Sequence, residues 1–137
     1  MRTSRTYKLQ LSEKGVDQFL ACHCRLARMT REFISYGTTL HVAMSILDGC
    51  DPAEIVAELE SPLCGALGGP SFRFVGTTSR LTNIVDRIAS RLIESGECGG
   101  GVATWRLYNV ALIMFQASED RELQSAYRKA ALITSQR

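Results

Sequence analysis

Leucines and phenylalanines recur every seven residues through the first third of the chain, at Phe19, Leu26, Phe33, Leu40 and Leu47. Val16, Leu20, Ala27, Ile34 and Met44 flank that line, while Asp17, Arg25, Arg28, Glu32, Ser35 and Thr39 fall on the opposite side. The spacing predicts an amphipathic helix from about Ser12 to Asp48, or two helices in phase across Gly37. Ser12 reads as its N-cap, with Glu13 in the first turn, and Gly49 as its terminator. A straight helix from Val16 to Leu47 would span about 46 Å, more than the ~26 Å expected across a compact chain of this length. The segment therefore bends near Gly37, or part of it projects onto a partner.

Ahead of this helix, Tyr7, Leu9 and Leu11 alternate with Lys8 and Gln10, a strand pattern over 6–11 that follows a loose basic arm at 1–5. A short helix is predicted after Asp51: Pro52 suits the first helical position and Glu54 completes an Asp-x-x-Glu capping box. Residues 61–71, rich in Gly and Pro, read as a loop. Phe72 and Phe74 alternate over 72–75, a second strand that can pair with 6–11 if helices or a second subunit back it. Leu81, Ile84, Val85, Ile88, Leu92 and Ile93 form a helical stripe that Gly96 ends. After "GECGGG", the run "VATWRLYNVALIMFQ" is apolar almost all round and predicts a central buried helix. The last helix opens on Ser118, Glu119, Asp120 and Glu122 and closes near Arg128 and Lys129, both ends suiting the helix dipole. The pattern predicts a mainly α, single-domain helical bundle of four long helices and one short helix over 1–137, with a minor two-stranded β element. No internal repeat is visible.

Composition changes this picture little. A chain of 137 residues, 45% apolar and 22% charged, can bury a core without covalent staples. Neither an export signal nor an apolar run of membrane length is found, so a cytoplasmic protein with no membrane partner is expected. Five cysteines at irregular spacing then read as reduced thiols.

Charge is more informative, although the net value is only +2. Residues 1–31 hold seven cations (Arg2, Arg5, Lys8, Lys14, Arg25, Arg28 and Arg31) against Glu13 and Asp17. Residues 32–63 hold six anions (Glu32, Asp48, Asp51, Glu54, Glu58 and Glu60) and no cation. Arginine, which dominates the basic set, favours bidentate contacts and interfaces. Such a patch suits phosphates or an acidic protein surface; alternatively, its charges pair locally as most surface charges do.

The candidate chemistry is sparse. Cys22, His23 and Cys24 adjoin, yet on a helix residues 22 and 24 lie about 200° apart and cannot share an ion. His23 and His41 would be about 27 Å apart on a straight helix. The glycine runs at 65–69 and 96–101 lack the Lys-Ser/Thr of a phosphate loop. "SILDGCDPAEIVAEL" has a helix-turn-helix outline, but Asp51, Glu54, Glu58 and Glu60 would repel DNA. No catalytic constellation, metal or cofactor is expected. The sequence points to a small non-enzymatic regulatory or inhibitory protein acting through protein–protein interaction, with a second copy of itself among the partners considered. Its surfaces would be a basic one (Arg2, Arg5, Lys8, Arg25, Arg28, Arg31) and an acidic one (Asp51, Glu54, Glu58, Glu60). The alternative is a nucleic-acid-binding protein using the same basic residues.

Overall fold

A computed structural model describes residues 4–98 and 101–135, the last four of these by their backbone alone. The expected arm at 1–5 lies partly outside these residues, and Ser4 and Arg5 already belong to strand β1 (Ser4–Leu11). Helices α1 (Glu13–Thr30), α2 (Tyr36–Asp48), α3 (Pro52–Leu59) and α4 (Pro62–Leu67) follow, then strand β2 (Ser71–Thr78) and helices α5 (Arg80–Ser95), α6 (Thr104–Ala117) and α7 (Asp120–Ser135). The mainly helical class holds, with a small antiparallel sheet of β1 and β2. The helix inventory differs from expectation: the long first segment is divided in two, and the 61–71 loop contains α4.

The division falls at 31–35 rather than at Gly37. Ser12 Oγ accepts from Gly15 N–H at 3.1 Å and starts α1. Arg31 ends it in the left-handed region, at φ 59°, its N–H donating to Ala27 O. Ser35 then caps α2 by accepting from Thr38 N–H. Phe19, Leu26, Leu40 and Leu47 are buried, but Phe33 lies in the turn and is fully exposed. The seven-residue repeat therefore crosses a reversal of the chain without belonging to one helix. Gly37 serves a close approach instead, since a side chain there would collide with Gly76 O of β2. Gly15 likewise allows the Leu67 carbonyl to cross the start of α1.

Buried residues reveal an order that the sequence conceals. Leu9, Gly15, Phe19, Cys22 and Leu26 of β1 and α1 correspond, at one constant offset, to Val75, Leu81, Val85, Ile88 and Leu92 of β2 and α5, all buried. In the next helix the offset grows by two residues. Thr39, Leu40, His41, Val42, Ala43, Met44 and Leu47 of α2 then match Leu107, Tyr108, Asn109, Val110, Ala111, Leu112 and Phe115 of α6, again all buried. The chain thus contains two strand-helix-helix units, contrary to the absence of a repeat in the sequence.

The units interlock crosswise. α2 packs against β2 and α5 of the other unit, α6 packs against β1 and α1, and α2 and α6 pack against each other. Their arginines repeat the relation. Arg91 of α5 reaches the end of α2, donating to Asp48 O at 2.6 Å, Asp48 Oδ1 at 3.1 Å and Cys50 O at 2.8 Å. Arg25, its counterpart on α1, donates to Gln116 O, Gln116 Oε1 and Ser118 O at the end of α6. Each guanidinium satisfies carbonyls that the helix end leaves without partners. A pseudo-twofold axis relates the halves, with α3 and α4 joining them and α7 packing on α2 and α1.

Candidate functional site

The pseudo-twofold axis passes through the Lys8–Phe74 pair of the ribbon. Around it, Thr6 pairs with Gly76, Lys8 with Phe74 and Gln10 with Phe72. Side chains directly opposite in an antiparallel ladder share a face. Tyr7, Leu9, Leu11 and Val75 occupy the inner face and are buried. Tyr7 Oη is fixed there by Thr78 O at 3.1 Å and Thr82 Oγ1 at 3.0 Å. The alternation of Phe72 and Phe74 would ordinarily mark the buried side of a strand. Here it marks the outer one, and the two rings are 51% and 66% exposed.

Thr6, Lys8, Gln10, Phe72, Phe74 and Gly76 therefore form one outward surface. Lys8 Nζ lies 4.8 Å from the centre of the Phe72 ring, a cation–π contact across the strands on that face. Arg5, Lys8 and Arg73 are the charged residues of the two strands, which contain no acid. Arg5 reaches Thr82 Oγ1 at 3.4 Å at the end of the ribbon.

Each edge of the ribbon is flanked by the opening turn of a helix, through the crosswise packing. On one edge Thr6, Lys8 and Gln10 share a cleft of about 310 Å³ with Thr104 and Trp105 of α6. The N-cap position of α6 is Ala103, whose side chain cannot accept from the first-turn N–H groups. On the other edge Gly37 brings the start of α2 against Gly76, and Tyr36 borders a cleft with Arg73 and Phe74.

The basic residues named from the sequence are distributed, not gathered. Lys8 and Arg5 lie on the ribbon; Arg2 is outside the described residues. Arg25 is occupied at the end of α6, where it also pairs with Asp120 at 2.7 Å. Arg28 and Arg31 line one open cleft with Glu32 and the exposed Phe33. That end of α1 is about 27 Å from its start beside β1. The acidic set stays on α3 and its ends: Glu54 Oε1 accepts from Asp51 N–H at 3.1 Å, while Glu58 is half-buried and Glu60 exposed.

The adjoining cysteines and histidine at 22–24 are divided by burial. Cys22 lies in the core, and burial pushes its thiol up to about 12, while Cys24 is exposed. His23 Nδ1 meets Thr39 Oγ1 at 2.7 Å and ties α1 to α2. His41 is buried, with neither ring nitrogen hydrogen-bonded among the described residues. Burial and the Arg80 guanidinium hold its imidazole below the usual range. Among the described residues no group of three His, Cys, Asp or Glu side chains could hold a metal ion.

Sequence patterning alone did not mark Thr6, Gln10, Phe72, Phe74 and Arg73 as functional. The signal that could have found them was the pair of acid-free alternating strands. No helix among the described residues is long and apolar enough to cross a membrane. No family model, curated protein or solved structure matches the chain.

Proposed function

We propose that the protein is a non-enzymatic, duplex-DNA-binding module that sets its two-stranded ribbon into the major groove. The single observation carrying this reading is the exposed outer face of the ribbon, built from Thr6, Lys8, Gln10, Phe72 and Phe74 on strands that carry cations and no acid. The major groove is wide enough to admit a two-stranded ribbon, and Lys, Gln and Thr are side chains that hydrogen-bond base edges there. The flanking turns of α6 and α2 stand where phosphates would pass, and the uncapped amides of α6 suit an anion. The acidic surface of α3 belongs to the segment joining the units and contributes nothing to the ribbon.

Binding of the full chain to a fluorescent duplex, measured at about 50 mM and about 200 mM salt, tests the reading. Affinity is expected to fall steeply with salt, and Lys8→Ala to weaken binding to a preferred duplex by about 1–3 kcal/mol and relax discrimination at the base pair it meets. A chain that binds no duplex at the lower salt overturns it. A second reading, contact with another protein, rests on Phe33, fully exposed beside a cleft that Arg28 and Arg31 line. That reading requires Phe33→Ser to abolish self-association or partner capture while leaving DNA binding intact.

A further inference from the structure

We infer that one copy of this chain reads a non-palindromic duplex, the two strands of its ribbon contributing chemically unlike halves. The inference rests on the ribbon reading above and specifies its target. When two identical chains supply such a ribbon, twofold symmetry presents the same side chains twice and the preferred sequence mirrors that symmetry. Here both strands come from one chain, and the axis through Lys8 and Phe74 relates residues that differ.

The equivalent outward positions are Thr6 and Phe72, Lys8 and Phe74, Gln10 and Gly76. One strand therefore presents three hydrogen-bonding side chains outward along its whole length, and the strand beside it two aromatic rings and a glycine. Lysine suits guanine O6 and N7, glutamine pairs with adenine N6 and N7, and threonine adapts to either. Phenylalanine makes apolar contact with the thymine methyl group. The structural scaffold beneath the halves is the same: matched buried positions, crosswise helices, and Arg25 and Arg91 on equivalent carbonyls. Symmetry has thus been kept where the units hold each other and lost where a duplex would be met.

The reach is short. From Thr6 to Gln10, and from Phe72 to Gly76, each strand covers about 14 Å, roughly four base-pair steps. Within that length Thr6 faces Gly76 at one end, Lys8 faces Phe74 at the axis and Gln10 faces Phe72 at the other end. Adenine readout and thymine-methyl contact are therefore expected together at the Gln10 end, without a mirror image at the Thr6 end. Because the six positions are exposed or lie at the surface of the ribbon, their substitution leaves the buried face intact.

The test selects duplexes from a randomised pool with the full chain at about 50 mM salt, then measures the complex by light scattering. Expected are a motif without inverted symmetry and one chain per duplex. Gln10→Ala should relax discrimination, about tenfold, at one end of the motif, and Thr6→Ala at the other. Replacing thymine by deoxyuridine should weaken the wild type several-fold and leave the Phe72→Ala/Phe74→Ala double variant unaffected. A palindromic motif, two chains per site, or both variants relaxing the same base pairs overturns the inference while leaving DNA binding standing. A pool with no enrichment removes the ribbon reading itself, and the inference with it.

Discussion

At the residue scale, two arginines carry the link between the halves. Arg25 and Arg91 each converge on the last carbonyls of a helix from the opposite unit, and both side chains are more than half-buried, 28% and 32% exposed. Charge-assisted hydrogen bonds of this kind contribute about 1.5–3 kcal/mol. Arg25→Ala and Arg91→Ala are each expected to lower unfolding stability by that order in urea titrations, whereas exposed Arg28→Ala should stay within about 0.5 kcal/mol of wild type. Equal, negligible effects for all three would remove the interlock from the account. His41 gives a second prediction. Its imidazole is held below 6.5 in the folded chain, so the folded state favours the neutral ring. The unfolded chain takes up a proton first as pH falls through 6.5, so the stability contributed by His41 is complete above that value and declines below it, towards the folded pKa. His23 shifts in the same direction by burial. His41→Gln should therefore lose less stability than wild type between about pH 7 and about pH 5, with the remaining slope due in part to His23. An unchanged slope in pH-stepped urea titrations contradicts this.

At the element scale, helices with one clean stripe were legible and the turn between α1 and α2 was not. Leu81, Ile84, Val85, Ile88 and Leu92 are buried as their spacing predicts, although Ile93 at the edge of that stripe is 59% exposed. The apolar run of α6 is buried almost throughout, because α1 and α2 of the other unit and the joining α3 and α4 all pack on it. The reversal at 31–35 carries no Pro or Gly, and Leu26 and Leu40 keep the seven-residue spacing across it. Ser35, placed three residues before Thr38, was the available cue for a new N-cap. Arg31 bends the chain in a left-handed conformation that costs a non-glycine residue about 1–2 kcal/mol. Arg31→Gly should raise the thermal midpoint by removing that strain, a gain reduced by the greater freedom of glycine in the unfolded chain. A clear fall in the midpoint would mean that the turn is held by the Arg31 side chain instead.

At the scale of the whole molecule, the pairing of β1 with β2 brings together strands that stand far apart in sequence, and nothing local specifies it. The repeat is hidden in the sequence for a physical reason. Core positions demand apolar volume rather than identity, so Phe19 answers to Val85 and Leu47 to Phe115, and the longer connection before α6 shifts the register. Identities survive at Arg25 and Arg91, Leu26 and Leu92, Val42 and Val110, and Ala43 and Ala111, too few to stand out. The basic stretch over residues 1–31 was legible as charge, but its geometry was not: folding leaves Lys8 on the ribbon, occupies Arg25 and carries Arg28 and Arg31 to the far end of α1. The most direct measurement is a titration of the isotope-labelled chain with duplex DNA, followed by the shifts of its backbone amides. The account predicts changes concentrated at Thr6–Gln10, Phe72–Thr78 and the opening turns of α2 and α6. Changes centred on Asp51–Glu60 or on Arg28–Phe33, with a silent ribbon, would contradict it.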